Sequence, residues 1–218
     1  MNVINASQLL VRDSMSNKPI FHITHVDNLP SIIGAGCLWS DSQRILQSFG
    51  STNIGYIHIK ARRMAHAVTV SQGGTLGDYV PFNFCPRSVM LFVVSRGHDD
   101  YKQGQTPIIH LVSSIDAIMA SGRPWAFTDR HADLGYSNQY DSLDNLDNVD
   151  WTVMPEHYWR EPEKKEKRQA EFLVHDYCPW EAIQQIVVIN QEVKKKVEAA
   201  LIGSQHKPTV KISRNWYY

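Results

Sequence analysis

Apolar and polar side chains alternate over residues 19–25 (PIFHITH), the two-residue period of a half-buried strand, which sets His22 and Thr24 on one face. Asp27 or Asn28 is placed to cap a short helix with Pro30 in its first turn and Gly36 at its end. Residues 40–63 mix polar and aliphatic positions and lead into a second helix near residues 60–67, before Gly73, Gly74 and Gly77 break the pattern. Residues 79–84 and 89–94 read as apolar strands joined around Pro86, and residues 107–112 as a third. A capped helix over residues 113–120 and a strand over 125–128 follow. Residues 133–153 are polar, rich in Asn and Asp and studded with aromatics, as a long surface loop is. Residues 171–175 and 186–189 read as strands with a short helix over 179–183 between them. An amphipathic helix over 193–202 closes at Gly203, and residues 209–212 form an alternating edge strand. Strands separated by unequal helices, without regular βαβ alternation or an internal repeat, predict an α+β fold with a largely antiparallel sheet and flanking helices.

Composition narrows the class. A chain of 218 residues, 43% apolar and 20% charged, suits one globular domain over residues 1–218. No stretch approaches the ~18 uncharged apolar residues that span a bilayer, and residues 1–5 lack the basic and apolar regions of an export signal, so a cytoplasmic protein with no membrane partner is expected. Three widely spaced cysteines, Cys37, Cys85 and Cys178, fit neither a disulfide framework nor a zinc site. With 22 basic and 22 acidic residues, overall charge predicts no nucleic-acid partner. Its distribution is uneven: Arg44, Lys60, Arg62, Arg63, Arg87 and Arg96 face Asp78 alone between residues 44 and 96, whereas residues 133–156 carry acids and no Lys or Arg. One segment would hold phosphates and the other repel them, or both are solvated faces.

The motifs of nucleoside triphosphate, dinucleotide-fold and zinc-hydrolase chemistry are absent. His22 and His25 point to opposite faces of an extended segment, which disfavours a shared metal, and no metal is expected. His22 is then a satisfied core histidine or a ligand-binding one. Glu171, between the basic Arg168 and the apolar run Phe172-Leu173-Val174, is either a strand-end ion pair or a poised carboxylate. Arg62 and Arg63 are solvated or functional, and His131 is a surface residue or a substrate contact. Tyr136, Tyr140, Trp151, Tyr158 and Trp159 either stack on unpaired bases or enter the core.

Taken in order, the segments around His22, Arg62-Arg63, residues 78–90 (DYVPFNFCPRSVM), residues 127–131 (FTDRH) and residues 169–174 (QAEFLV) resemble the DarT family of bacterial toxins that ADP-ribosylate DNA, over residues 20–218. The resemblance implies an ADP-ribosyltransferase fold, NAD as co-substrate and thymidine in single-stranded DNA as acceptor. A DarG-type macrodomain antitoxin is the partner it implies. It assigns catalysis to Glu171 and Arg63, NAD binding to His22, Thr24, Asn28 and Arg63, and substrate binding to Arg87, Met90, His131 and Lys165. Asn83 stands where close relatives often carry an aromatic. The chemistry is consistent with these residue types: breaking the nicotinamide–ribose bond builds positive charge on the sugar, which an oriented carboxylate on the ribose 2-hydroxyl stabilises. A guanidinium is a poor general base but holds a pyrophosphate through two donors. Two rivals stand beside this reading: ADP-ribosyl transfer to protein or RNA, and a non-catalytic nucleic-acid-binding module in which Glu171 only pairs with a neighbour.

Overall fold

Residues 17–218 are described by the computed structural model; residues 1–5, which bear on export, lie outside them. Among the described residues the chain runs β1 (Pro19–His25), α1 (Leu29–Ala35), β2 (Cys37–Trp39), α2 (Asp41–Leu46), α3 (Ile57–Arg63), β3 (Tyr79–Asn83), α4 (Val89–Arg96), β4 (Ile108–Ser114), α5 (Ile115–Ala120), β5 (Trp125–His131), β6 (Gln139–Tyr140), α6 (Pro162–Lys167), β7 (Ala170–His175), β8 (Tyr177–Pro179), β9 (Gln185–Val188), α7 (Gln191–Ala200) and β10 (Thr209–Ile212). Eight strands form one sheet in the order β10-β9-β4-β1-β3-β7-β5-β6, antiparallel except for the β9–β10 edge, and β2 pairs with β8 separately. The protein is α+β, as its pattern of elements predicts.

Pairing strength along this sheet places the cleft. β1 is zipped to β4 through seven register pairs and β3 to β7 through five, but β1 and β3 meet only at Phe21↔Asn83. Pro81, in the middle of β3, has no N–H to give a ladder, and its carbonyl accepts from the His22 ring instead. The sheet is therefore two well-paired halves that part between β1 and β3. The main apolar core, with Ile20, Phe82, Phe127 and Phe172 fully buried, holds both halves on one side. A smaller cluster of Leu76, Tyr79, Ala126, Ala132 and Leu173 packs on the other side of β3, β5 and β7.

Several expected elements change. Residues 89–94, read as a strand, are helix α4: Ser88 Oγ accepts from Leu91 N–H (3.1 Å) and Gly97, at φ 74°, ends it. A six-residue apolar run does not distinguish a buried strand from a buried helix, and here burial of Val89, Leu91 and Val94 along one helical face decides. The helix expected near residues 60–67 begins earlier, at Ile57. Neither Asp27 nor Asn28 caps with its side chain. A 3-10 turn over Val26–Asn28 is capped by His25 Nδ1, which accepts from Asp27 N–H (3.2 Å), and Asn28 turns its amide elsewhere. Residues 133–153 are more ordered than a loop, with β6, a 3-10 turn over Leu143–Asn148, and Leu146, Val149 and Val153 in the core. All three cysteines are free and buried, and burial raises the Cys37 and Cys85 thiols to about 11.

Candidate active site

The parting of β1 from β3 opens a cleft of about 290 Å³, and both chemically loaded segments of the sequence reach it. Glu171, the second residue of β7, sits beside Asn83 of β3 in register, and its backbone N–H donates to Thr128 Oγ1 of β5 (3.1 Å). Pairing with β3 on one side and the Thr128 hydroxyl on the other, at an irregularity in the β5–β7 ladder, thus fix the carboxylate's origin. Arg63, the last residue of α3, comes to it from across the cleft: Nη1 lies 3.1 Å from Oε1 and 3.0 Å from Oε2, with the two side chains 12% and 8% exposed. Ala132 N–H adds a longer bond to Oε1 (3.4 Å). Two atoms of this pair remain open. Arg63 Nη2 and Glu171 Oε2 are buried without a hydrogen-bond partner, although Oε2 is within ion-pair distance of Nη1. Leaving such atoms unbonded costs about 1–3 kcal/mol each, so the pair carries unfilled capacity that structure alone does not require.

On the opposite wall His22 donates from Nδ1 to the Pro81 carbonyl (2.8 Å), and its ring lies 5.7 Å from that of Phe82. Burial drives its pKa down to about 4, with the Pro81 bond opposing and the Lys60 charge assisting. A neutral ring that donates from Nδ1 has Nε2 as an acceptor, suited to a hydroxyl. Thr24 and Asn28 line the same wall, and their polar groups are turned on each other. Asn28 donates to Thr24 Oγ1 (3.0 Å) and to the Thr52 carbonyl (3.0 Å), and accepts from Thr52 N–H (2.7 Å). They tie down the cleft-lining segment 51–56 at Thr52. His131, at the end of β5, also faces the cleft, and its pKa is lowered, chiefly by burial, with Glu171 opposing and Arg63 assisting. Met90, in the first turn of α4, lies against Gly55, where a Cβ would come within 3.3 Å of its methyl group.

Seven of the nine expected site residues therefore line one cleft. Arg87 and Lys165 do not. The Arg87 guanidinium stacks on Tyr218 (4.4 Å) and meets His157 Nδ1 (2.5 Å) in a separate groove. Lys165 is on the exposed side of α6, between the ion pairs Lys164–Glu156 and Lys167–Glu163. The basic Arg168 beside Glu171 is buried and structural, donating to the carbonyls of Val153, Met154 and Arg87. Of the aromatics, Tyr136 and Tyr158 are exposed, whereas Tyr140 stacks on Phe127, Trp151 packs on Phe84 and Trp159 on Phe92.

The sequence also left cleft residues unnoticed. Asp41, Trp39, Thr52, Tyr56 and His98 line it. Asp41 gathers Lys60 Nζ (2.8 Å) and Arg44 (3.2 Å), and these cations hold its carboxyl below the usual range against the effect of burial. Ser40-Asp41 is legible as a helix start, since Ser40 Oγ accepts from Gln43 N–H, but a partner nineteen residues away is not. Much of the basic segment is thereby paired: Arg44 and Lys60 share Asp41, Arg62 meets Asp133, and Arg63 meets Glu171. Among the described residues no group of three or more His, Cys, Asp or Glu is placed to hold a metal, and no helix is long and apolar enough to cross a membrane.

Residues 21–218 match the family model described as "ssDNA thymidine ADP-ribosyltransferase, DarT". A DNA ADP-ribosyl transferase from Thermus sp. (strain 2.9) is 42% identical over 203 residues, covering 92% of this chain and 96% of the relative. Solved structures are similar to this chain in fold. Thermus sp. 2.9 DarT in complex with ADP-ribosylated ssDNA superposes with a TM-score of 0.88 at 42% identity, over 93% of this chain and 97% of that one. The same protein in complex with NAD+ gives 0.83 at 39% identity, over 93% and 98%.

Proposed function

The chain belongs to the DarT family, and from that premise we propose how its cleft performs the reaction. It is an NAD-dependent DNA ADP-ribosyltransferase: NAD is the co-substrate, single-stranded DNA receives the ADP-ribose on thymidine, and nicotinamide leaves. The observation that carries the assignment of roles is the Glu171–Arg63 pair at the cleft floor, buried yet with a free acceptor on one partner and a free donor on the other.

Glu171 Oε2 accepts a hydrogen bond from the ribose 2-hydroxyl. As the bond from ribose to nicotinamide lengthens, positive charge grows on the sugar, and the fixed carboxylate stabilises that state more than the ground state. Arg63 orients the carboxylate through Nη1 and offers Nη2 to a substrate phosphate. It keeps its charge throughout, so it stabilises the base as negative charge builds on its ring nitrogen, and the displaced ring proton passes to solvent. Neutral His22 accepts from a substrate hydroxyl, and Thr24 with Asn28 keeps the 51–56 segment over the bound nucleotide. His131, beside Glu171 on the acceptor side, contacts the incoming base, and Met90 bounds the cleft by shape. Arg87 and Lys165, outside the cleft, contact the DNA strand farther from the reacting atoms. A base modified at its pairing edge must be unstacked and unpaired, which favours single strands.

We further infer that residues 1–218 act as one catalytic domain in the cytoplasm, where the DNA is, and that a DarG-type macrodomain antitoxin opposes it by removing the modification. Incubation with labelled NAD and single-stranded oligonucleotides, followed by mass spectrometry, tests the reading. Label is expected on thymidine and lost when every thymidine is replaced by cytidine, which lacks the ring N–H that the transfer replaces. Label on protein or RNA and none on DNA would overturn the acceptor.

A further inference from the structure

The helix that delivers Arg63 to Glu171 makes a second, unassigned connection one residue earlier. Adjacent residues on an α-helix project about 100° apart, so Arg62 is turned away from the cleft floor. It reaches Asp133, whose Oδ2 accepts from both Nε (2.8 Å) and Nη2 (2.5 Å). The partners are unequally buried: the Asp133 side chain is 3% exposed and that of Arg62 58%. Asp133 comes two residues after His131, and the intervening Ala132 donates its N–H to Glu171 Oε1. The start of the acceptor segment is thus held at one residue to the catalytic carboxylate and at the next to the helix of the catalytic arginine.

Two more links continue the seam. Gln139 Oε1 accepts from Thr69 N–H (2.8 Å) while its amide donates to the Ala67 carbonyl (3.0 Å), and Asp141 Oδ2 accepts from Ser71 N–H (2.9 Å). Residues 62–71 are stitched to residues 133–141 along their length. Both acids of this stretch, Asp133 and Asp141, accept from residues 62–71.

We propose that Arg62 and Asp133 are positioning residues for the acceptor half of the reaction, locking the His131–Asp133 turn in register with Arg63 and Glu171. The inference rests on the reading of Glu171 and Arg63 as the catalytic pair. Its physical ground is the sensitivity of transfer reactions to placement, where a displacement of about 1 Å costs on the order of a hundredfold in rate. Neither Arg62 nor Asp133 lines the cleft, so NAD binding should depend on the pair far less than transfer does.

The test compares wild type with Arg62→Gln, Arg62→Lys, Asp133→Asn and the double variant Arg62→Gln/Asp133→Asn. It reads single-turnover transfer to a thymidine-containing single strand at saturating NAD and DNA, with the Kd for NAD from calorimetry. Each neutralising single variant is expected to slow transfer about tenfold to a hundredfold with the NAD Kd unchanged within about twofold, and Arg62→Lys to recover part of the rate. The double variant should be no slower than the slower single one, as for two ends of one contact. Because Arg62 is more than half exposed, Arg62→Gln carries the test even where Asp133→Asn loses the fold. Full transfer by Arg62→Gln, multiplicative losses in the double variant, or an NAD Kd that weakens in step with the rate would each overturn the proposal. Failure of the wild type itself to modify DNA would bring down the reading of the site, and this inference with it.

Discussion

Charge is handled in opposite ways at the floor of the cleft and along residues 133–168. At the floor Glu171 and Arg63 are buried against each other, yet each keeps an atom without a partner, and neutral His22 keeps an acceptor. Along the acceptor segment cation and anion close on one another: Asp133 with Arg62, Asp150 and Glu163 with Lys167, Glu156 with Lys164. Both regions are rich in ionisable side chains, so charge count does not separate a site from a frame. What marks the floor is that both partners of one buried, cleft-lining ion pair keep an unbonded atom, whereas a lone unbonded atom such as Nε of the structural Arg168 does not mark a site.

The largest expected effect comes from emptying that capacity at the floor. Glu171→Gln, which keeps the shape and removes the charge, should lower single-turnover transfer by a hundredfold or more, about 3 kcal/mol of transition-state stabilisation, with NAD still bound. Near-normal turnover would place Glu171 with the frame. Two histidines, His22 and His110, sharpen the contrast. His22 and His110 both have pKa values lowered to about 4 by burial, but His110 has both ring nitrogens engaged, by the Pro86 carbonyl and the Tyr217 hydroxyl. With folded-state pKa values below the ordinary 6.5, the unfolded chain binds protons that the native one excludes. Their contribution is complete above pH 6.5 and is lost as pH falls towards 4, by about 2 kcal/mol each at pH 5. Urea unfolding at pH 7 and 5 should show this loss, smaller in His22→Gln and in His110→Gln. Only the His22 variant should also weaken NAD binding in calorimetry.

Smaller effects are expected where side chains are exposed. Tyr158, 84% exposed, has no apolar packing to lose, so Tyr158→Ala should leave stability unchanged and weaken single-strand binding by about 1 kcal/mol if it stacks on a base. Equal affinity in a fluorescence titration would remove it from the DNA path. Arg44→Gln should change least. Its charge is shared with Asp41 and Lys60, so the salt dependence of DNA binding should shift by less than the single counterion expected of a free phosphate contact, and stability by under about 1 kcal/mol.

Much of this protein was legible along the chain because it is locally encoded. The alternation over residues 19–25 and the apolar run over 172–174 are local strand signals, and β1 and β7 appear there, with Glu171 on β7 and His22 on β1. Gly36 at φ 68° ends α1 as a residue without a Cβ can, and Ser114 Oγ caps α5 as the sequence predicts. The α+β class required only the order of such elements. What local pattern could not contain is anything that depends on a partner far away. Residues 89–94 satisfy a strand or a helix equally until the core selects one face. Arg168, which reads as part of a basic run, is sequestered by carbonyls contributed by residues 87, 153 and 154. The basic segment reads as a phosphate track until Asp41 and Asp133 fold against it.

The sequence by itself therefore determined strands such as β1 and β7, which residue types the chemistry has available and which family the chain resembles. Only the tertiary structure decided that β1 and β3 part to open a cleft, that Arg63 faces Glu171 while its neighbour Arg62 is taken by Asp133, and which cations remain free. The reason is range. Strand and cap preferences act over a few residues and survive in any context, whereas ion pairing and burial act between residues as far apart as 63 and 171, and exist only once the chain has closed.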